Sequence, residues 1–234
     1  MLLRAGHNAI DRTWRTLPLE FFIIVVGFFV SLQINEWQND RENREIEGQY
    51  LQRLENDLKK SSEALVDNND RMRLSVSNME SGLMRLAAEH RSEDDYQTLF
   101  VALQNSSIIG GFEVYFGTFE ELKDTGNMRL IESSPLRESL AALAQKYLQV
   151  VKISQIRNML RGNTFPVMTR YVKPTVGNSL TFDAQRVEAD PRELYVAMSI
   201  IRANLGYDLH DSEKLLVLIE ETLTIVRAEM ALHH

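Results

Sequence analysis

Hydrophobic and polar positions follow three successive patterns along this chain, and each predicts a helix in a different environment. Residues 21–32 are apolar apart from Gly27 and Ser31, and uncharged residues continue to Asn35. Apolar residues then recur at every seventh position, and later at spacings of three and four. These patterns are typical of a membrane span, a helical stalk and the amphipathic helices of a bundle.

The apolar run at 21–32 is short for a bilayer span, which needs about 20 residues. Its flanks lengthen it, because the helix from Trp14 to Trp37 rises about 34 Å at 1.5 Å per residue. Tryptophans are enriched at both membrane interfaces. We therefore predict a transmembrane helix at 17–37, with Trp14 and Trp37 at the interfaces. A buried core helix is the alternative.

The charges that flank the predicted span indicate its orientation. Segment 1–16 carries three arginines against one aspartate, whereas acidic residues outnumber basic residues just after Trp37. The positive-inside rule then makes 1–16 a short cytoplasmic segment and places the C-terminal domain outside the cytoplasm. No cleavage site of small residues follows the apolar run, which favours an uncleaved signal anchor.

One face of the predicted span carries small or polar residues at every fourth position, namely Gly27, Ser31 and Asn35. Such residues allow two membrane helices to approach closely, so this face is a candidate for helix packing. A lipid-facing helix with incidental small residues is an equally open interpretation.

A seven-residue apolar stripe predicts that the helix continues beyond the membrane as a stalk over 38–90. The stripe consists of Leu51, Leu58, Leu65, Met72, Met79 and Leu86. It fits packing on later helices of the same chain better than self-association, which stays open. The polar stretch at 67–70 is a candidate for a bend.

Segment 91–234 carries start signals for several helices, each a capping residue three positions before an acidic residue. The pairs are Ser92 with Asp95, Thr118 with Glu121, and Asp190 with Glu193. Prolines at 135 and 191 suit first helical positions, and residues 207–214 suit a further capped start. The segment 161–182 is the longest irregular one. We predict an all-α fold, with an antiparallel helical bundle at 91–234 packed on the stalk.

Composition narrows the functional classes. The formal net charge is −7, and no basic patch is available to meet phosphates, so we expect no nucleic-acid binding. The absence of cysteine removes disulfides, thiolate metal sites and cysteine nucleophiles.

No catalytic motif is present in the sequence. The five histidines form no zinc-binding pair on a helix, and no phosphate-binding loop or serine elbow occurs. Asp208, His210, Asp211 and Glu213 cluster at 207–214, where a metal site is conceivable but a capped helix start accounts for the same residues. We expect no catalytic, cofactor or metal site, and therefore no enzyme.

Two blocks of the chain resemble a bacterial family of single-pass membrane proteins of unknown function. "LEFFIIVVGFFVSLQINEWQNDR" is similar to its anchor, with Glu20 before the apolar run and then L-Q-I-N-x-W at 32–37. "TFEELKDTGNMRLIESSPLRESL" is similar to its second block, which is defined by a short series of positions. These are Thr118, Leu122, Gly126, Asn127, Ile131, Leu136 and Arg137. The resemblance implies an inner-membrane location, and therefore a periplasmic C-terminal domain, but no known activity.

We interpret the turn at Gly126 and Asn127 as a structural feature, because glycine there can take a left-handed conformation that ends a helix. The combined features predict a non-enzymatic interaction protein, an accessory or scaffold subunit whose partners are the bilayer and other membrane subunits or copies of itself. The alternative is an extracytoplasmic ligand-sensing module. A cytoplasmic part of about 16 residues is too short for an output domain, which favours the first interpretation.

Overall fold

The computed structural model describes residues 7–105, 111–174 and 180–232, and most of this backbone is helical. The helices are α1 (His7–Leu86), α2 (Glu93–Asn105), α3 (Gly117–Asp124), α4 (Ser134–Gly162), α5 (Phe165–Thr169), α6 (Ala184–Ala189) and α7 (Pro191–Leu232). A 3-10 helix covers Asn127–Leu130. The predicted predominance of helix is confirmed.

The chain divides into two compact units, Met1–Tyr50 and Leu51–Leu232. In the first unit α1 begins at His7, and the side chains of 38–45 are exposed. Among the residues that the structure describes, no helix contains a stretch long and apolar enough to cross a bilayer.

Several predictions about the N-terminal region fall on side chains outside the described residues. They concern the interface residues Trp14 and Trp37 and the packing face of Gly27, Ser31 and Asn35. The segment 1–16, the span at 17–37 and their topology therefore stay predictions.

The core of the second unit is built on the stripe of α1. All six stripe residues are at most 2% exposed: Leu51, Leu58, Leu65, Met72, Met79 and Leu86. Arg73 Nη2 lies 2.7 Å from Glu213 Oε1, and Arg227 Nε lies 2.8 Å from Glu55 Oε1, so α7 runs antiparallel to α1. The stripe is therefore buried within this chain's own unit.

The predicted helix start at 207–214 is wrong, because α7 continues through it as one helix of 42 residues. Buried positions keep the three- and four-residue spacing of a helix face through Leu205, Asp208, Ser212 and Leu215. The buried face of α7 therefore continues without interruption, although two of its positions, Asp208 and Ser212, are polar. Sequence reasoning took these polar residues for a cap, whereas they lie in the core.

The segment predicted to be irregular contains a short β-hairpin as well as α5. Strands β1 (Val172–Pro174) and β2 (Leu180–Phe182) pair antiparallel, with Val172 opposite Phe182. Tyr171 and Phe182 are buried, and the Tyr171 hydroxyl donates to the Asp190 carbonyl at 2.8 Å. These two strands are the departure from an all-α fold within the described residues.

The predicted start of α2 is confirmed by a reciprocal cap. The Ser92 N–H donates to Asp95 Oδ2 at 2.8 Å, and the Asp95 N–H donates to Ser92 Oγ at 3.3 Å. At α4 the cap is instead Ser133, whose Oγ accepts from the Leu136 N–H, so Pro135 is the second helical residue rather than the first.

Thr118 was expected to cap a helix, but it lies inside α3 and is buried. Its N–H and hydroxyl both donate to Asp57 Oδ2 of α1, at 3.0 and 2.7 Å. The carboxylate of α1 thus takes over the capping role and fixes α3 onto α1. This contact accounts for the buried threonine at position 118 of this chain.

Gly126 follows α3 with φ of 73°, and Ile131 beyond it is buried in the core. Gly126→Val should lower the free energy of unfolding by about 1–2 kcal/mol, because a β-branched residue resists positive φ. Asn127→Ala should cost less. Urea titration measures both, with Gly111→Val as the control, since Gly126 is the glycine with positive φ among the described residues and an added Cβ meets no atom within 4 Å at either position.

Equal losses at Gly126 and Gly111 would contradict the structural role of the turn. So would an Asn127→Ala variant that keeps its stability but loses a co-purifying partner, since that result would make the turn a recognition site.

Candidate functional site

The main candidate site is the α4–α7 seam, defined here as 146–164 of α4 and its C-terminal cap together with 190–212 of α7 and its N-terminal cap. The two helices run antiparallel, as contacts between Ser139 and Thr222 at one end and Arg157 and Asp208 further along require. The inner side of the seam is charged, and its outer side is apolar. The seam belongs wholly to the second unit.

The inner side holds a buried cluster of arginine and aspartate. Arg157 Nη1 lies 2.8 Å from both Asp208 Oδ1 and Asp211 Oδ2. Arg161 Nη2 lies 3.2 Å from Asp208 Oδ2. Asp208 is fully buried and Arg161 is 6% exposed. Two cations therefore share one buried anion, with Asp211 as a second, less buried acceptor.

The pKa shifts in this cluster reflect a balance between burial and pairing. Burial raises the pKa of Asp208, although Arg157 and Arg161 oppose the shift. Burial lowers the pKa of Arg161, while Asp208 opposes that shift. For Arg157, burial is outweighed by the hydrogen bonds to Asp208 and Asp211, so its pKa is raised. Pairing with Arg157 and Arg161 therefore favours the ionised form of Asp208 in the core, while both guanidinium groups stay protonated.

Three further polar side chains, Asn69, Ser154 and Ser212, are also buried. Neither amide atom of Asn69 has a hydrogen-bond partner among the described residues, and the same holds for the hydroxyls of Ser154 and Ser212. Ser154 lies close enough to lower the pKa of Asp208, but without hydrogen-bond geometry. Buried polar groups without hydrogen-bond partners destabilise a fold, so these three side chains lower the stability of the core.

The structure places the residues of the candidate metal site at 207–214 in different environments. Within the described ranges, no three histidine, aspartate or glutamate side chains are placed to hold a metal ion. Asp208 and Asp211 are engaged by Arg157, and His210 is exposed. The cluster at 207–214 is therefore half of an ion-pair network between helices.

The outer side of the seam forms an open groove of about 790 Å³. Its apolar lining consists of Leu160 of α4, Val167 of α5, and Val196, Ala197 and Ile200 of α7. Its polar lining residues are Asn163, Thr164, Asp190, Arg192 and Glu193. Leu160 and Val196 are each 51% exposed, and Ile200 is 40% exposed, so large apolar side chains face solvent along the groove.

The outer face of α4 extends this apolar surface and adds basic charge. Leu148, Ile156 and Met159 are 54–71% exposed. From Ser139 to Gly162 the helix carries four basic residues and no acidic residue. Arg157 and Arg161 are paired with Asp208, whereas Lys146 and Lys152 form no ion pair within the described part of the chain. The face is therefore both apolar and cationic.

A second, smaller pocket of about 270 Å³ lies between α2, α5 and the hairpin. Its lining is mainly apolar and includes Phe100, Leu103, Phe165, Met168 and Leu180. Gln104 and Thr169 provide its polar side chains. It is large enough for a small apolar molecule.

Sequence reasoning located the stripe of α1 and the turn at Gly126, but it missed the α4–α7 seam. Two signals were available. One is the basic half of α4 in an acidic chain, and the other is Asp208 at a core position of an otherwise apolar face.

The resemblance of two sequence blocks to a bacterial family of single-pass membrane proteins stays a prediction. No protein-family model, no curated protein and no solved structure matches the chain.

Proposed function

We propose that this chain is a non-enzymatic, membrane-anchored interaction protein, an accessory or scaffold subunit of a bacterial inner-membrane assembly. The observation that carries the proposal is the outer side of the α4–α7 seam. The proposed anchor is the segment 17–37, with the N-terminus in the cytoplasm and the helical bundle in the periplasm.

The exposed side chains of the seam support an interaction role. Contiguous apolar patches on soluble surfaces are commonly sites of association, because burying them removes apolar area from water. Ile156, Leu160, Val196 and Ile200 are all at least 40% exposed and lie on adjoining helices. Leu160, Val196 and Ile200 line one groove, which distinguishes them from scattered surface residues.

A ligand-sensing module is the second candidate function, and the 270 Å³ pocket near Phe100 and Met168 favours it. Sensing requires a route from the bundle to an output domain. In this second proposal the sensor signals through a membrane partner.

Site-specific photo-crosslinking in native membranes tests the proposed function. A photoreactive residue at Ile200 should yield crosslinks to other membrane subunits, and the chain should remain in the membrane pellet after an alkaline wash. The matched control is Val217, which is exposed at 56% on the same helix but lies outside the groove. Equal crosslinking at both positions would argue against the seam, and release by the alkaline wash would argue against the anchor.

A further inference from the structure

We infer that the core between α4 and α7 contains a binding site for an ordered water molecule, formed by Ser154, Asp208 and Ser212 beside the buried ion pairs. The water would connect the two helices through hydrogen bonds that the protein atoms alone do not make. Such a site is independent of the proposed membrane role, because it depends only on the interior of the bundle.

Both serines adjoin the carboxyl group of Asp208. Ser212 follows Asp208 by one turn on the buried face of α7, a spacing that puts Cβ atoms about 5–6 Å apart. Ser154 of α4 lies close enough to Asp208 to lower the pKa of its carboxyl group. Asp208 and Ser212 are fully buried, and Ser154 is 3% exposed. The three side chains therefore lie together in the core, away from bulk solvent.

The cluster has hydrogen-bonding capacity that the described residues do not use. The hydroxyls of Ser154 and Ser212 have no partner among them, and neither has Arg161 Nη1. Asp208 Oδ2 accepts no hydrogen bond, although it lies 3.2 Å from Arg161 Nη2. Most buried polar side-chain atoms bond either to protein or to ordered water. Left without a partner, these atoms lower the stability of the core, and a bound water would offset that cost.

Other buried hydroxyls in the helices of this chain are satisfied locally. Ser61, Ser75 and Thr222 are fully buried, and each donates to the carbonyl four residues earlier, at 2.7, 2.9 and 2.7 Å. Bonds of this kind are the usual solution for serine and threonine inside a helix. Ser154 and Ser212 do not make them. Their hydroxyls therefore remain available to a ligand in the core.

The surrounding charges select water over an ion. Arg157 and Arg161 disfavour a cation at this position, and Asp208 disfavours an anion, because Coulomb interactions are strong in a buried site. Water is neutral and can both donate and accept. It can donate to Asp208 Oδ2 and accept from a serine hydroxyl or from Arg161 Nη1, and a buried water typically makes about three hydrogen bonds.

The small size of the two serines leaves space for this water. One turn away on the same buried faces, the core positions carry Val150 and Leu215, which are larger. Protein interiors are close-packed, and a gap that is lined by polar groups is normally filled by water.

A crystal structure of the whole chain at a resolution that shows ordered water tests the site directly. One density peak should lie within hydrogen-bond distance of Ser154 Oγ, Ser212 Oγ and Asp208 Oδ2. The absence of a peak there would overturn the inference. Parallel crystals grown with bromide or with rubidium test for ions, and an anomalous signal at this position would replace the water with a halide or a monovalent cation.

Thermal unfolding of the whole chain gives a second test, in which the sign of the effect is decisive. Ser154→Ala and Ser212→Ala should each lower the Tm by about 2–4 °C, because each variant loses a hydrogen bond to the water. In a dry core the same variants would instead raise the Tm, since alanine removes an unpartnered hydroxyl and is the better helix former.

Ser75→Ala is the matched control, because Ser75 is equally buried but bonds to its own helix. Its Tm should not fall. A rise in Tm for Ser154→Ala and Ser212→Ala, or a fall of the same size for Ser75→Ala, would count against the bound water.

Discussion

Asp208→Ala should lower the free energy of unfolding of the bundle by about 3–5 kcal/mol, the range for breaking a buried ion pair by removing one partner. Asp208 is fully buried, and Arg157 and Arg161 both contact it. Without it Arg161, which is only 6% exposed, would remain charged in the core without its anion. The loss of stability comes mainly from the buried guanidinium group of Arg161, which would then have no counter-ion.

Urea denaturation monitored by circular dichroism at 222 nm measures this effect. Glu213→Ala is the matched control on the same helix, since its ion pair with Arg73 is exposed to solvent and should contribute little to stability. Adding Arg161→Met to Asp208→Ala should recover part of the loss, because the stranded charge is removed with it.

Equal losses for Asp208→Ala and Glu213→Ala would refute the account of a buried pair. A double variant no more stable than the single one would show that the loss arises from the cavity left by Asp208 rather than from Arg161.

The parts of the fold that sequence predicted are those governed by local periodicity or local capping. The α1 stripe required only a seven-residue repeat, and the start of α2 required only Ser92 and Asp95. Both signals lie within a few residues of the structure they specify, so no knowledge of the tertiary fold is needed.

The parts that sequence missed depend on contacts between distant segments. Thr118 was interpreted as a helix cap, because the sequence does not show that its hydrogen-bond acceptor, Asp57, lies 61 residues away on α1. Asp208 was interpreted as part of a helix start, because the two arginines that pair with it lie on α4 and are distant in the sequence. The sequence around a polar residue does not show whether a distant residue will pair with it in the core. A helix-capping residue and a buried charged residue therefore look the same in the sequence.

Gly82→Val should lower the free energy of unfolding by about 2–3 kcal/mol, at the upper part of the range for overpacking a core. A Cβ at this position would lie 2.8 Å from Ala102 Cβ on α2 and 2.8 Å from Met198 Cε on α7. Met198 can move its flexible end, but Ala102 Cβ is fixed to its backbone. The two helices would therefore have to separate.

Replacing glycine with alanine at two helical positions distinguishes close packing at Gly82 from a general effect of helix propensity. Glycine inside a helix is normally about 0.5–1 kcal/mol less favourable than alanine, so alanine should stabilise where space is open. Gly206 of α7 has no atom within 4 Å of its added Cβ, and Gly206→Ala should be stabilising. Gly82→Ala should instead be destabilising despite the same gain in propensity. If both alanine variants raise the urea midpoint, α1, α2 and α7 do not pack as closely at Gly82 as the structure requires.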